Sequence, residues 1–358
     1  MTGKKRSFIK SILDAINPYA WATDIRNQAF NIGILPIYRP EIPTICIGNI
    51  AVGGTGKTPH TEYLAKLLKN RFRIAVLSRG YGRKSKGYIL SGASTTMEEI
   101  GDEPFQIKNK FHDIDVAVCE KRPVGIRNLL QEKRRPEVIL LDDAFQHRYV
   151  EAGLNILLID SNRPTWLDCV LPFGRLREKA SNMNRADIII ITKCKSADTR
   201  FKEWCRKWTG TKSKAPVFFS RMRYGSIYNI FDTQIKARDI CNGTDILLVT
   251  GIAKPAPMKV ELESRGARVM IMKYADHHNF SHSDIADIVS RYKLIDNTNK
   301  MIVTTEKDAT RLIQRTDIPE ELKKDIYALP IEVEFLDNGE ELFNQIIGNY
   351  VTENSGNS

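Results

Sequence analysis

The sequence has no run of roughly twenty apolar residues, so no segment is built to cross a bilayer as a helix. Its six cysteines, Cys46, Cys119, Cys169, Cys194, Cys205 and Cys241, include no C-x-x-C pair. A disulfide framework or zinc site is therefore not expected, and the thiols read as reduced and cytosolic. Internal repeats and low-complexity tracts are lacking too. Acidic residues are in deficit: 43 Asp plus Glu face 54 Lys plus Arg, a formal charge of +11. Such a surplus implies an anionic partner: nucleic acid, anionic lipid or a phosphorylated substrate. The basic residues are dispersed and do not alternate with aromatics, which speaks against nucleic acid. No obligate protein partner is evident.

What is present is a regular alternation. With 358 residues, 42% of them hydrophobic, the chain can bury a large core in one large or two medium domains. Short apolar runs at 74–77, 116–119, 139–141, 156–159 and 188–191 are separated in several places by helix-length segments, and the pattern resumes at 217–219, 246–249 and 301–304. That spacing predicts a mostly parallel sheet flanked by helices. The expected organisation is an N-terminal helical segment over 1–35, a core domain over 36–225, a smaller C-terminal α/β domain over 226–350, and a frayed polar tail over 351–358.

The chemistry is concentrated in residues 45–58, which read as a buried strand, a glycine loop and a helix start. Gly53, Gly54, Thr55 and Gly56 let backbone N–H groups turn toward phosphate oxygens, Lys57 brings a point charge to the β- and γ-phosphates, and the Thr58 hydroxyl suits Mg²⁺. The fold class is then α/β of the P-loop NTPase type. Ala51 stands where the strict pattern G-x-x-x-x-G-K-[ST] has its first glycine, so alone the loop also reads as a glycine-rich turn that happens to hold a lysine. A second apolar run, Val138–Leu141, ends in Asp142 and Asp143, the form that delivers a carboxylate to Mg²⁺. Either carboxylate could instead cap the next segment or pair with an arginine. Polar clusters at Ser78–Arg83, Gly101–Pro104 and Glu120–Pro123 follow other strands, where an open parallel sheet holds its ligand. Arginines and a tyrosine beside a nucleotide suit an anionic acceptor.

Near the N-terminus, Phe8, Ile9, Ile12, Leu13 and Ile16 share a helical face among Lys4, Lys5, Arg6 and Lys10. After Pro18 the pattern resumes with Trp21, Ile25, Ala29 and Ile32. This suits a helix lying on a membrane surface or one packed on a core.

Seven ordered segments together resemble the tetraacyldisaccharide 4′-kinase family of lipid A biosynthesis: Gly48-Asn49 leading into Gly53–Thr58, Ser78–Gly82, Gly101–Pro104, Asp142–His147, Gly174–Glu178, Asp276-His277 and Thr305–Asp308. The resemblance runs from the N-terminal helix to about residue 310. It implies transfer of the ATP γ-phosphate to the 4′-hydroxyl of tetraacyldisaccharide 1-phosphate, giving lipid IVA at the cytoplasmic face of the bacterial inner membrane. The N-terminal helix would hold the enzyme there peripherally. By resemblance, Asp102 paired with His277 accepts the hydroxyl proton. The family pattern sets histidine directly after aspartate, which prefers His277 to His278. Taken by itself, Asp102 also reads as a helix N-cap, because Pro104 follows.

Mg²⁺ would sit on Thr58 and Asp142, with Asp143 and Glu103 as second candidates. Arg122, Arg175 and Arg177 would contact phosphates or the disaccharide. Tyr81 and His147 would lie near the acceptor, though unaided they read equally as packing or hydrogen-bonded support. Thr192–Lys195 lacks the N-K-x-D form that selects guanine, which favours ATP. Ala144 replaces a common family glycine and puts the geometry of Gln146 and His147 in question. The alternatives are a partner-regulated P-loop ATPase at the membrane surface, whose early loop lysine is Val52 here, and a basic adaptor that keeps nucleotide as a structural ligand.

Overall fold

The computed structural model describes residues 13, 16–195, 198–232, 238–276 and 278–355. The apolar face through Phe8, Ile9 and Ile12 and its lysines lie outside them, as does His277.

Fourteen strands and eleven α-helices are found among the described residues. The first part of the chain runs α1 (Pro18–Asn31), β1 (Thr44–Gly48), α2 (Lys57–Leu68), β2 (Ile74–Ser78), β3 (Ile89–Leu90), α3 (Met97–Ile100), α4 (Asp102–Lys110) and β4 (Asp115–Val118). It continues through α5 (Arg122–Gln131), β5 (Val138–Asp142), β6 (Leu154–Asp160), β7 (Ile188–Thr192), α6 (Thr199–Gly210) and β8 (Val217–Tyr224). Then come β9 (Tyr228–Asn229), β10 (Asp245–Thr250), α7 (Ala256–Ser264), β11 (Arg268–Lys273), α8 (His282–Lys293), β12 (Lys300–Thr305) and α9 (Glu306–Leu312). The last are α10 (Glu320–Lys323), β13 (Ile326–Leu329), β14 (Ile331–Phe335) and α11 (Gly339–Ser355).

The large sheet has the order β14-β8-β7-β6-β1-β5-β2-β4-β3, parallel except at its two edge pairs. β1 lies at its middle, with Ile45 opposite Leu140 of β5 on one side and Leu154 of β6 on the other. Strands β1, β2, β5 and β7 are buried at every residue, because helices cover both faces. Ile45, Ile47, Leu64, Leu68 and Val76 pack on one face, while Cys46, Leu77, Ile126, Leu141 and Ile189 pack on the other. The small sheet runs β11-β10-β12-β13-β9, with only β9 antiparallel.

The strands read from alternating apolar runs are all present. The boundaries between lobes differ from expectation. The small sheet spans β9 to β13, but the chain then returns: β14 pairs antiparallel with β8, and α11 buries Phe343, Ile347 and Val351 against the large sheet. Residues 331–350 thus belong with the large lobe. The expected frayed tail is helical to Ser355, since Val351 lies one turn past Ile347 on the same apolar face.

Helix α1 is capped by Asn17, whose side chain accepts from the Tyr19 and Ala20 N–H groups. It buries Ala20, Asn27 and Phe30. The stripe read from sequence points the other way: Trp21 is 51%, Ile25 70% and Ile32 68% exposed. These three large side chains are outside the core, while Ala29 of the same stripe is half-buried. Among the described residues no helix is long and apolar enough to cross a membrane.

Candidate active site

The site begins where β1 ends. Its loop returns into α2 through Gly56, held at φ +91°, a region costly for any residue with a Cβ. A Cβ on Gly53 or Gly54 would meet nothing within 4 Å, so the loop's outer face is open. Several groups stiffen the loop from below. Asn49 Nδ2 donates to Thr55 Oγ1 at 2.8 Å, and Thr192 Oγ1, at the end of β7, donates to the Thr55 carbonyl at 2.8 Å. Lys193 donates to the Gly54 carbonyl and, at 2.8 Å, to Asp160 Oδ2. Lys193 is thus tied to the loop backbone, a position that the missing N-K-x-D pattern did not reveal. Behind the loop, His60 Nδ1 meets the Gly56 carbonyl and Ser220 Oγ meets His60 Nε2. Burial pushes the His60 imidazole down to about 4, so it is neutral at pH 7.

Next to the loop, β5 delivers the acidic pair. Asp142 is 1% exposed and accepts from Thr61 Oγ1 at 3.1 Å. Burial, reinforced by the Glu103 and Asp143 carboxylates, pushes its carboxyl up to about 7. Asp143, at φ 46°, turns toward Lys57, whose Nζ lies 3.5 Å from its Oδ2. Arg177 reaches the same carboxylate at 3.2 Å and also Gln146 Oε1 at 3.2 Å. Ala144 is accommodated: it is 7% exposed, and its carbonyl accepts from the His147 N–H at 2.7 Å.

The segment carrying Arg175 and Arg177 is sewn to the glycine loop. The Val52 N–H donates to the Arg175 carbonyl and the Arg177 N–H to the Ile50 carbonyl, both at 2.8 Å. Arg175 itself is exposed.

Arg122 departs from its expected substrate-contact role. It is 2% exposed, and its guanidinium donates to the Cys119 carbonyl at 2.7 Å and the Asp142 carbonyl at 3.0 Å. These bonds tie the ends of two strands together under the acidic pair. Burial lowers the Arg122 pKa, while the neighbouring Asp142 and Asp143 charges raise it. His147 Nε2 accepts from the Arg122 N–H at 3.3 Å, and burial brings that imidazole down to about 4. Tyr81 stands 91% exposed.

Asp102 is the first residue of α4, not its N-cap; Gly101 takes that place at φ +89°. Its carboxylate is ion-paired with Arg311 of α9, a residue sequence reading did not single out. His278 is committed elsewhere: its Nε2 lies 2.9 Å from Asp284 Oδ2, in the capping box of α8, and its ring stacks on Tyr274.

The site suits ATP and Mg²⁺ by its donors. Lys57 and Thr58 open the helix that follows the open glycine backbone, Lys57 lies against Asp143, and Glu103 and Asp143 act electrostatically on the Asp142 carboxyl. No group of three Asp, Glu, His or Cys side chains among the described residues forms a protein-only metal cage. Mg²⁺ does not need one, since it is commonly held by one or two carboxylates together with substrate phosphates.

Comparison with known proteins gives the same direction. The family model described as tetraacyldisaccharide-1-P 4′-kinase matches residues 12–351. A tetraacyldisaccharide 4′-kinase of Bacteroides fragilis is 49% identical, covering 95% of this chain and 92% of its own. That of Bacteroides thetaiotaomicron is 47% identical over the same shares. The crystal structure of LpxK from Aquifex aeolicus in complex with ATP superposes with a TM-score of 0.74 at 28% identity, covering 96% of this chain and 99% of that one. With a family model matching residues 12–351 and relatives up to 49% identical over nearly the whole length, the chain belongs to the tetraacyldisaccharide-1-P 4′-kinase family.

Proposed function

We propose that this kinase moves the γ-phosphoryl group of ATP onto the 4′-hydroxyl of tetraacyldisaccharide 1-phosphate, a step of lipid A biosynthesis, with Asp102 taking the hydroxyl proton. The bond from the γ-phosphorus to the β,γ-bridging oxygen breaks as the bond to the 4′-oxygen forms, leaving ADP. The observation that carries this reading is the convergence of the Lys57 loop with the Asp142, Asp143 and Glu103 carboxylates, at the end of β1 and beside the helix start that bears Asp102.

Phosphoryl transfer needs alignment and charge neutralisation more than covalent chemistry. Loop N–H groups and Lys57 hold the phosphates. Thr58 and Asp142, with Asp143 and Glu103 beside them, would hold Mg²⁺, which neutralises charge on the phosphate oxygens when bound. Arg175, exposed beside the loop, and Arg177, on Asp143, are suited to meet phosphate or sugar. His277 is the proposed partner of Asp102.

The acceptor's acyl chains stay in a bilayer, so the enzyme must come to that surface. The outward stripe of Trp21, Ile25 and Ile32, with Ile34 71% exposed beyond it, supports peripheral docking through α1 at the cytoplasmic face of the inner membrane. The test is a transfer assay with γ-labelled ATP, Mg²⁺ and detergent-dispersed tetraacyldisaccharide 1-phosphate. Label on the lipid, lost in Lys57→Ala, is expected; label released only as inorganic phosphate would instead favour a regulated ATPase.

A further inference from the structure

Helix α4 opens with Asp102 and closes with Lys110, and both ends are gripped by one helix of the small lobe. At its start, Arg311 of α9 donates to Asp102 Oδ2. At its end, Lys110 Nζ lies 2.7 Å from Glu306 Oε1, the first residue of α9, and 2.5 Å from Glu62 Oε2 on α2. The two helices therefore run antiparallel and are clamped at two points.

Arg311 is itself held rigidly. Its side chain is 5% exposed, and its second terminal nitrogen lies 3.3 Å from Asp308 Oδ1. Asp308 is 0% exposed; its Oδ2 accepts from the Gly251 N–H at 2.9 Å and from Thr305 Oγ1 at 2.8 Å. On the other side, the backbone just before Asp102 is packed closely, since a Cβ on Gly101 would stand 2.8 Å from the Tyr81 carbonyl oxygen. A carboxylate with one oxygen pinned by a fixed guanidinium has the direction of its other oxygen set.

We infer that Arg311 is a positioning residue for the Asp102 carboxylate, so that the small lobe sets the aim of the group that receives the acceptor's proton. This rests on the reading of Asp102 as proton acceptor. Orientation of a base is worth much of its effect, since the acceptor atom must lie within hydrogen-bond reach along the right line. The Thr305–Asp308 segment gains a role from this: Asp308 fixes Arg311, and Thr305 fixes Asp308.

The test compares wild type with Arg311→Gln, Arg311→Lys and Asp102→Ala, measuring kcat and KM for both substrates and a thermal melt. Arg311→Gln is expected to lower kcat by about tenfold or more, with KM for ATP and lipid within about twofold of wild type. Arg311→Lys keeps a cation at the site and should recover to within about fivefold. Because Gln at 311 leaves Asp308 buried with less compensation, the pair Asp308→Asn with Arg311→Gln is made as well; it should fold and show the same kcat loss. Wild-type kcat in either folded glutamine variant overturns the inference, as do equal losses in Arg311→Gln and Arg311→Lys. Wild-type turnover in Asp102→Ala removes the underlying reading, whatever the Arg311 variants do.

Discussion

His60 Nδ1 lies 2.7 Å from the carbonyl oxygen of Gly56, the left-handed residue that turns the phosphate loop into its helix. A carbonyl only accepts, so the proton sits on Nδ1, and Nε2 is left to accept from Ser220 Oγ at 3.2 Å. The ring is buried and neutral, with its pKa pushed down to about 4.

That depression makes stability depend on pH with a definite sign. Between the unfolded value near 6.5 and about 4, the unfolded chain binds a proton that the native ring refuses. Stability is therefore lost as pH falls through this window, by up to about 3 kcal/mol at its lower end. Denaturant unfolding at pH 7 and pH 4.5 should show a smaller loss in His60→Gln than in wild type. Equal losses would mean that His60 is not the titrating group.

Lys57→Ala should cut transfer by roughly 10²–10³-fold, the usual cost of losing a cation that faces developing charge. The fold should survive, because Asp143 keeps Arg177 at 3.2 Å. A folded variant with more than about a tenth of wild-type turnover would take Lys57 out of the phosphate site.

Arg122 is a support for the acidic strand end, so its loss should register as stability. Arg122→Met leaves two buried carbonyls without their charged donor and should cost about 2–4 kcal/mol in denaturant unfolding. Arg122→Lys should not restore it, since one ammonium cannot replace a planar fork that reaches both Cys119 and Asp142. Full stability in the lysine variant would contradict this bridging role.

Replacing Trp21, Ile25 and Ile32 together with serine removes the outward stripe while leaving Ala20, Asn27 and Phe30 in place. Co-sedimentation with vesicles containing anionic lipid should fall by about tenfold or more, and the melting temperature should hold. Unchanged sedimentation would assign that stripe another purpose.

The strands of the large sheet and the glycine loop were legible because their signals are local. Three or four consecutive apolar residues, running into Gly48 or Asp142, mark a buried strand and its chemical tip without help from elsewhere. Edge strands were less legible: β3 has two residues, and β11 alternates poorly, with Met270 and Ile271 both exposed on a lobe margin. The role of Arg122 was misread because a buried arginine looks, in sequence, like one reaching for phosphate. Arg311 was invisible because its partner Asp102 is 209 residues away and on the other lobe. The return of β14 to β8 was hidden for the same reason: pairing between Ser220 and Phe335 leaves no trace in either segment.

That return has a bearing on how the protein is made. The ribosome delivers β1 through β8 and the whole small lobe before Phe335, Phe343, Ile347 and Val351 emerge to cover one face of the large sheet. During that interval the nascent large lobe carries an uncovered apolar strip beside the edge of β8, the kind of surface that holding chaperones bind. The small lobe is an insertion whose two ends leave and re-enter the same sheet, at β8 and β14. Closure of that face therefore waits on a segment made only after the whole small lobe.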